Sequence, residues 1–236
     1  MTKNSNLGVK MMAEFVGVFL FVFVGAGSVI AAQAAFSGSA ALVAIAFANG
    51  LGLALAISLA LNTSGGHINP AVTIGAWVTK KIGTLDAAGY IVAQVLGAIL
   101  AGVFLVALYP SAAGMAVHYG APSLASGTSV LQGIVLEGIM TFFLVTIVFA
   151  TVIDNRFPKM GGLFVGLVVV ADVFAGGPLT GAAMNPARAI GPALASGFLT
   201  NWYVYWIGPV IGGVLAAWVY NYMFLRKKNP RDDKRK

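Results

Sequence analysis

The tripeptide Asn-Pro-Ala occurs twice in this chain, each time between a long apolar segment and a shorter one. Asparagine is a good N-cap and proline suits the first helical position, so each triplet predicts the start of a helix. The apolar stretches that follow, at about 70–79 and 186–196, are too short to cross a bilayer. A helix start carries free N–H groups and positive partial charge, so two such starts at membrane depth predict a polar path with an electrostatic barrier at its middle. The six residues are Asn69, Pro70, Ala71, Asn185, Pro186 and Ala187.

Composition places the chain among polytopic membrane proteins. Of its 236 residues, 59% are hydrophobic and 9% are charged, whereas about 25% of a soluble domain is charged. The absence of cysteine excludes disulfides and thiolate metal sites, and two histidines with seven acidic residues predict no metal centre. The sequence has no nucleophile–base pair and no phosphate-binding loop, so we expect neither an enzyme nor a cofactor.

The net charge of +7 does not predict nucleic-acid binding, because of where the basic residues lie. Seven of the fourteen Lys and Arg residues fall in the tail at 226–236. We interpret this tail as a solvated topology signal on the cytoplasmic side, with attraction to anionic lipids as the alternative.

Long apolar runs predict six membrane-spanning helices joined by segments of turn composition. The sequence Ala32–Ala34 also suits a cleaved signal peptide, but its apolar run is longer than a signal core and recurs later in the chain. The spanning helices are expected at about 10–33, 40–61, 86–108, 129–153, 160–176 and 202–225, and the loops at about 37–38, 110–127 and 154–159.

Basic residues predict the orientation of these helices. Thirteen of the fourteen lie before the first helix, after the first short helix, between the fourth and fifth helices, or after the sixth. The positive-inside rule makes this side cytoplasmic, so both termini are expected there. We expect a multi-pass protein of the cell membrane. The exception is Arg188, three residues after Asn185, and the other non-tail residues are Lys3, Lys10, Lys80, Lys81, Arg156 and Lys159.

The two halves of the chain repeat each other. Each half, at about 10–108 and 129–225, holds three spanning helices. Because three is odd, the second half enters from the opposite side, which gives an inverted repeat within a single channel domain, 1–236. The predicted fold is therefore all-α, with six transmembrane helices and two half-helices whose N-termini meet near the midplane. The matching segments are 13–17 with 136–140, 64–65 with 180–181, and 90–97 with 205–212.

The strings around the triplets resemble those of the aquaporin family, the major intrinsic proteins. Ser64–Thr73 reads SGGHINPAVT and Gly181–Arg188 reads GAAMNPAR. The resemblance covers nearly the whole chain apart from its tails, and Gly191–Gly197 and Trp202–Trp206 are similar to the tonoplast-type branch and its prokaryotic relatives. It implies a homotetramer of passive channels in the bilayer that conduct water and exclude protons and ions, with no nucleic-acid partner.

The resemblance also implies roles for the central residues. The amides of Asn69 and Asn185 would donate hydrogen bonds to one water at the pore centre, which interrupts a proton wire, and Arg188 would be the cation of a selectivity filter. The alternatives are that both asparagines are N-caps only and that Arg188 is an interfacial residue.

Family spacing to the two triplets places three more filter positions at Asn49, Val173 and Ala182. These residues imply a wider filter than that of a strict water channel, so we expect ammonia, urea or glycerol to pass as well. A channel mainly for those solutes is the alternative function, although Ala189 and the pair Tyr205-Trp206 differ from glycerol-type members. For Asn49 the alternative is a hydrogen bond between helices.

The remaining polar residues have supporting roles or open ones. Glu14 and Glu137 occupy related positions in apolar helices, where we expect each to accept hydrogen bonds from a pore loop. His67 is expected to line the pore, or else to pack in the core, and the roles of Asp172 and His118 stay open. An ion-coupled transporter and a closed structural protein are the rival functions. A transporter needs titratable residues at the midplane, where this chain has asparagine amides.

Overall fold

The computed structural model of the protein describes residues 6–158 and 160–225 and consists of helices and connecting loops. Lys3, Lys159 and the basic tail lie outside these residues, so the prediction of a cytoplasmic tail is not addressed. Within the described ranges the α-helices are α1 Leu7–Ala35, α2 Ser39–Ala60, α3 Pro70–Val78, α4 Thr84–Leu108, α5 Ser111–Ala116, α6 Val130–Val148, α7 Gly161–Thr180, α8 Pro186–Ser196 and α9 Val204–Tyr220.

Six of the described helices are long and apolar enough to span a bilayer. They are α1, α2, α4, α6, α7 and α9, and the last turns of α6 and α9 continue as π-helical turns at Phe149–Ile153 and Asn221–Leu225. Together with the short helices α3 and α8, they confirm the predicted all-α fold with six spans and two half-helices.

The structure departs from the predicted boundaries in two places. Helix α7 runs through Pro178 to Thr180, beyond the predicted end, and stops where Gly181 takes a left-handed φ of 82°. The missing proline N–H removes one hydrogen bond but does not end the helix, because the flanking turns stay packed. The segment 110–127, predicted as a loop, contains α5 and a 3-10 turn at His118–Gly120.

Helix packing follows the inverted repeat. The first and third spans of each half pack together, as α1 with α4 and α6 with α9, while α2 and α7 pack across the two halves. Each half-helix lies against the third span of the other half, α3 against α9 and α8 against α4. The two halves are therefore interlocked, and both half-helices are enclosed by spanning helices.

Glycines allow these helices to approach closely. An added Cβ at Gly213 of α9 would lie 3.0 Å from the Ala71 carbonyl oxygen of α3. At Gly212 the added Cβ would overlap the backbone carbonyl of Gly138 in α6. In a helix pair this tight, backbone rather than side chain sets the separation.

We predict that Gly212→Ala lowers the free energy of unfolding by about 1–3 kcal/mol, because the methyl group forces α6 and α9 apart. Thermal unfolding of the purified protein in detergent measures this. The control is Gly83→Ala, since an added Cβ there meets nothing within 4 Å. Equal midpoints for the two variants would show that the α6–α9 contact tolerates a side chain.

Candidate functional site

The two Asn-Pro-Ala triplets begin α3 and α8 as N-caps. Asn69 has extended backbone, and its Oδ1 accepts from the Ala71 N–H at 2.8 Å. Asn185 does the same with Ala187 at 3.0 Å and with the Arg188 N–H at 3.2 Å. In each triplet the proline occupies the first helical position, where its missing N–H costs nothing. Capping, the more modest of the two sequence interpretations, is therefore present at both asparagines.

The same two side chains also join the half-helices to each other. Asn69 Nδ2 donates to the Met184 carbonyl at 2.9 Å, and Asn185 Nδ2 donates to the Ile68 carbonyl at 2.9 Å. Both asparagines are 2% exposed. Each amide nitrogen carries a second hydrogen, for which the described residues provide no acceptor. Capping and donation thus use different atoms of one side chain.

Left-handed backbone turns these carbonyls across the centre. Ile68 and Met184, the residues before the two asparagines, have φ of 54° and 52°. Such values are uncommon outside glycine and cost energy at an aliphatic residue. The related positions of the two loops share this conformation. The hydrogen bond from each asparagine to the carbonyl of the opposite loop is therefore a repeated feature of the fold.

Glu14 supports the loop before α3. It is fully buried, and its carboxylate accepts from the Ser64 hydroxyl at 2.6 Å and from the backbone N–H groups of His67 and Ile68 at 2.9 and 2.7 Å. Gln94 Nε2 donates to the same carboxylate at 2.8 Å. Four donors therefore converge on one side chain of α1.

Glu137 makes the matching set of contacts in the second half. It accepts from the Thr180 hydroxyl at 2.7 Å and from the N–H groups of Ala183 and Met184 at 3.0 and 2.7 Å. Both carboxylates thus have the geometry that the sequence predicted, as acceptors for the pore loops. The buttress role itself stays a proposal, which mutation can test.

Two tyrosines complete these networks and were not predicted. Tyr90 donates to the Ser64 carbonyl at 2.8 Å, and Tyr205 donates to the Thr180 carbonyl at 2.9 Å. Both lie in the aligned segments of the internal repeat, so that alignment could have identified them. Gln94 could not have been found this way, because Pro209 stands at the related position.

Arg188 is held in the first turn of α8 and is 3% exposed. Its Nη1 donates to the Gly120 carbonyl at 2.7 Å. Among the described residues no carboxylate lies within ion-pair distance of it, since the two ion pairs there join Lys10 to Asp86 and Arg156 to Asp154. Arg188 is therefore a fixed buried cation rather than an interfacial one. No feature of the sequence identifies Gly120 as its acceptor.

The other predicted filter residues are buried at helix and loop positions. Asn49 is 5% exposed, and its Nδ2 donates to the Ile45 carbonyl at 2.9 Å and to the Gly25 carbonyl of α1 at 3.3 Å. The alternative interpretation of Asn49, a bond between helices, is therefore present. Val173 is 3% exposed, and Ala182 has a left-handed φ of 46° with its N–H donating to Thr180 Oγ1.

The two histidines and Asp172 have distinct surroundings. His67 Nδ1 lies 3.1 Å from Thr73 Oγ1, and the ring borders a cavity of about 340 Å³ at the end of the bundle that contains Asp154. His118 stacks on Phe198 with ring centroids 3.6 Å apart. Asp172 is buried, and its Oδ2 has no hydrogen-bond partner within the described residues.

A polar clamp, formed by Asp154, Arg156 and Tyr220, holds the Asp154 side chain on the lining of that cavity. Arg156 donates from Nε to Asp154 at 2.8 Å, and Tyr220 donates to the same carboxylate at 3.1 Å. The Arg156 hydrogen bonds hold the pKa of Asp154 well below its ordinary value. Arg156 also donates to the Phe224 carbonyl at 3.2 Å. The clamp ties the α6–α7 loop to the end of α9.

Comparison with known proteins agrees with this geometry. The family model described as Major intrinsic protein matches residues 1–220. The chain belongs to this family. Aquaporin TIP4-4 of Zea mays is 47% identical over 179 residues, which cover 73% of this chain and 69% of that protein. Probable aquaporin TIP3-2 of Arabidopsis thaliana is 44% identical over 173 residues, which cover 72% of this chain and 63% of that protein.

These relatives confirm the predicted resemblance to the tonoplast-type branch of the major intrinsic proteins. The chain spans about two thirds of the length of the plant relatives it matches. An X-ray structure of the aquaglyceroporin from Plasmodium falciparum superposes with a TM-score of 0.80, covering 92% of this chain and 97% of that one. At 23% identity this likeness shows the fold. Family membership also confirms a channel rather than an enzyme.

We predict that Glu14→Gln destabilises the protein and lowers its transport activity. Four donors now share the two carboxylate oxygens of Glu14. Glutamine has only one acceptor oxygen, so a buried N–H loses its partner at a cost of about 1–3 kcal/mol. Thermal unfolding and vesicle flux measure the two effects. The control is Asp86→Asn, which removes a half-exposed ion pair with Lys10. If both variants behaved like the wild type, Glu14 would not support the pore loop.

Proposed function

We propose that this chain is a passive channel that conducts water, excludes protons and ions, and also passes small neutral solutes. The observation that carries the proposal is the pair of buried amides at the facing starts of α3 and α8. Asn69 and Asn185 each cap their own helix and bond to the opposite loop, and each keeps a second amide hydrogen that has no acceptor among the described residues.

Water passage without proton passage follows from this geometry. A water oxygen that accepts from both amides directs its hydrogens outward along the path and cannot accept from its neighbours, so a proton wire is interrupted. The positive ends of α3 and α8 favour the same orientation and repel cations. Pro70, Ala71, Pro186 and Ala187 contribute by starting the helices at this point with little bulk.

Arg188 provides a second barrier to cations in the proposed filter. Its charge is buried and has no acidic partner among the described residues, and a hydrogen bond to Gly120 fixes its position. Its remaining N–H groups are free to donate to passing water or to a neutral solute.

The width of the proposed filter supports passage of neutral solutes. Val173 and Ala182 have small apolar side chains, and the Asn49 amide is bonded toward α1. A filter with little polar bulk opposite Arg188 accepts ammonia, urea or glycerol as well as water. A channel mainly for those solutes is the second candidate, since the same observation favours it.

We propose further that four copies assemble in the membrane with both termini of each on the cytoplasmic side. The described residues Lys10, Lys80, Lys81 and Arg156 all lie at one end of the bundle, which is the expected pattern for a cytoplasmic face. The relatives are of the tonoplast-type branch and give no support to the expected cell membrane, so we make no proposal for it.

Proteoliposomes test the proposal by stopped-flow light scattering. We predict that wild-type vesicles shrink faster than empty ones in an osmotic gradient and admit glycerol, urea or ammonia. Asn49→Phe should lower solute entry by about tenfold and water flux by less, because an aromatic ring narrows the filter for the larger molecule first. Empty vesicles and Gly83→Ala vesicles are the controls. Water flux with no solute flux in the wild type would refute solute passage, and the absence of water flux would refute the channel.

We predict that Arg188→Val raises proton leak through the vesicle membrane by at least about tenfold while water still passes. Removing a fixed charge from a low-dielectric site lowers the cation barrier by more than about 1.4 kcal/mol. An entrapped pH-sensitive dye measures the leak. The control is Lys80→Asn, which removes a charge at an exposed position whose left-handed φ of 60° suits asparagine. An unchanged leak would remove Arg188 from the barrier.

A further inference from the structure

The Asn49 amide occupies a space that exists because residue 25 has no side chain. An added Cβ at Gly25 would lie 2.5 Å from Asn49 Oδ1 and 3.2 Å from its Cγ. The amide nitrogen also donates to the Gly25 carbonyl at 3.3 Å. The Asn49 side chain therefore lies flat against the backbone of α1.

The opposite side of α2 offers the amide no other place. Gly50, the next residue, packs on α7 so closely that an added Cβ would lie 2.5 Å from the Gly166 carbonyl oxygen. One atom of Val170, the side-chain Cγ2, is closer still. An amide displaced from α1 cannot enter this backbone contact.

The same turn of α1 also supports the acceptor of Arg188. An added Cβ at Gly120 would lie 2.5 Å from the Ala26 carbonyl oxygen and 2.7 Å from the Ala26 Cβ. Ala26 is fully buried, and Gly120 accepts the hydrogen bond that fixes Arg188. Consecutive residues of α1 thus contact both polar members of the proposed filter, directly at Asn49 and through Gly120 at Arg188.

We propose that Gly25 is a positioning residue that sets the width of the filter by letting Asn49 fold back onto α1. The inference rests on the proposed function. Passage of neutral solutes larger than water then depends on the missing side chain at residue 25, although residue 25 does not contact the solute. A side chain at this position moves the Asn49 amide into the path and narrows the filter for such solutes.

The test is Gly25→Ala in proteoliposomes, read as the ratio of glycerol or urea flux to water flux. We expect this ratio to fall by about tenfold. A fall of this size corresponds to an added activation free energy for the solute that is similar to the free energy of one hydrogen bond. The matched control is Gly52→Ala, in the same α1–α2 interface, where an added Cβ makes ordinary contacts with Val24 at 3.4 Å and 3.5 Å. Gly52→Ala should leave the ratio within about twofold of the wild type.

A second substitution separates positioning from general damage to the α1–α2 interface. In Gly25→Ala/Asn49→Ala the displaced amide is gone, so solute flux should return. An unchanged ratio in Gly25→Ala, a fall of equal size in Gly52→Ala, or no recovery in the double variant would each overturn the inference.

Asn49→Asp gives an independent test that leaves residue 25 unchanged and therefore does not depend on Gly25→Ala folding. An ionised carboxylate cannot donate to the Gly25 and Ile45 carbonyls and is repelled by both, so at a pH high enough to ionise the new side chain it should leave α1 and lower the solute-to-water ratio. A wild-type ratio in this variant would overturn the inference. If wild-type vesicles pass water alone, solute passage is refuted, and water flux becomes the readout: Gly25→Ala should lower it and the double variant should restore it.

Discussion

The structure depends on how two stretches of irregular backbone are hydrogen-bonded in the middle of a membrane protein. Water is not available there to satisfy N–H and carbonyl groups. The free-energy cost of leaving one such group unpaired in hydrocarbon is on the order of several kcal/mol. The loops before α3 and α8 meet this constraint with one carboxylate each. Glu14 and Glu137 accept from successive backbone N–H groups of their loops and from a serine or threonine hydroxyl. A tyrosine donates to the backbone carbonyl of that serine or threonine. The two side chains most costly to bury are therefore the ones that satisfy the backbone N–H groups of the loops before the half-helices.

The cross-loop bonds of the two asparagines join the halves at a single point. Asn69 donates to the second loop and Asn185 donates to the first, through carbonyls that left-handed residues present. A displacement of either half-helix would break the bonds of both, so the two starts are held at a fixed separation. A barrier to protons requires such rigidity, because a water that could rotate between the amides would restore the proton wire.

Much of this arrangement follows from the sequence. The parts that could not be predicted all have the same physical reason. Apolar length predicts the spanning helices, Asn-Pro predicts the helix starts, and the repeat predicts their opposition, because each depends on local chemistry or on internal comparison. The acceptor of Arg188 could not be predicted, since Gly120 reaches it through a left-handed run in a loop with no related segment. The direction of Asn49 was likewise open, because spacing fixes the position of a side chain and the neighbouring helix decides its rotamer. Helix α7 continues through Pro178 because packing outweighs the local preference.

The centre and the proposed filter differ in symmetry, and this difference separates their tasks. At the centre the asparagines, the two glutamates and the two tyrosines are paired by the repeat, which suits a barrier that must act equally on flow in both directions. The polar filter residues have none: the related positions are Val165 for Asn49 and Val72 for Arg188. At each of these two positions, one half of the repeat has a polar residue and the other half has a valine. Selection of solutes can therefore change at these positions, and at the turn of α1 beneath them, without disturbing the bonds that hold the pore loops together.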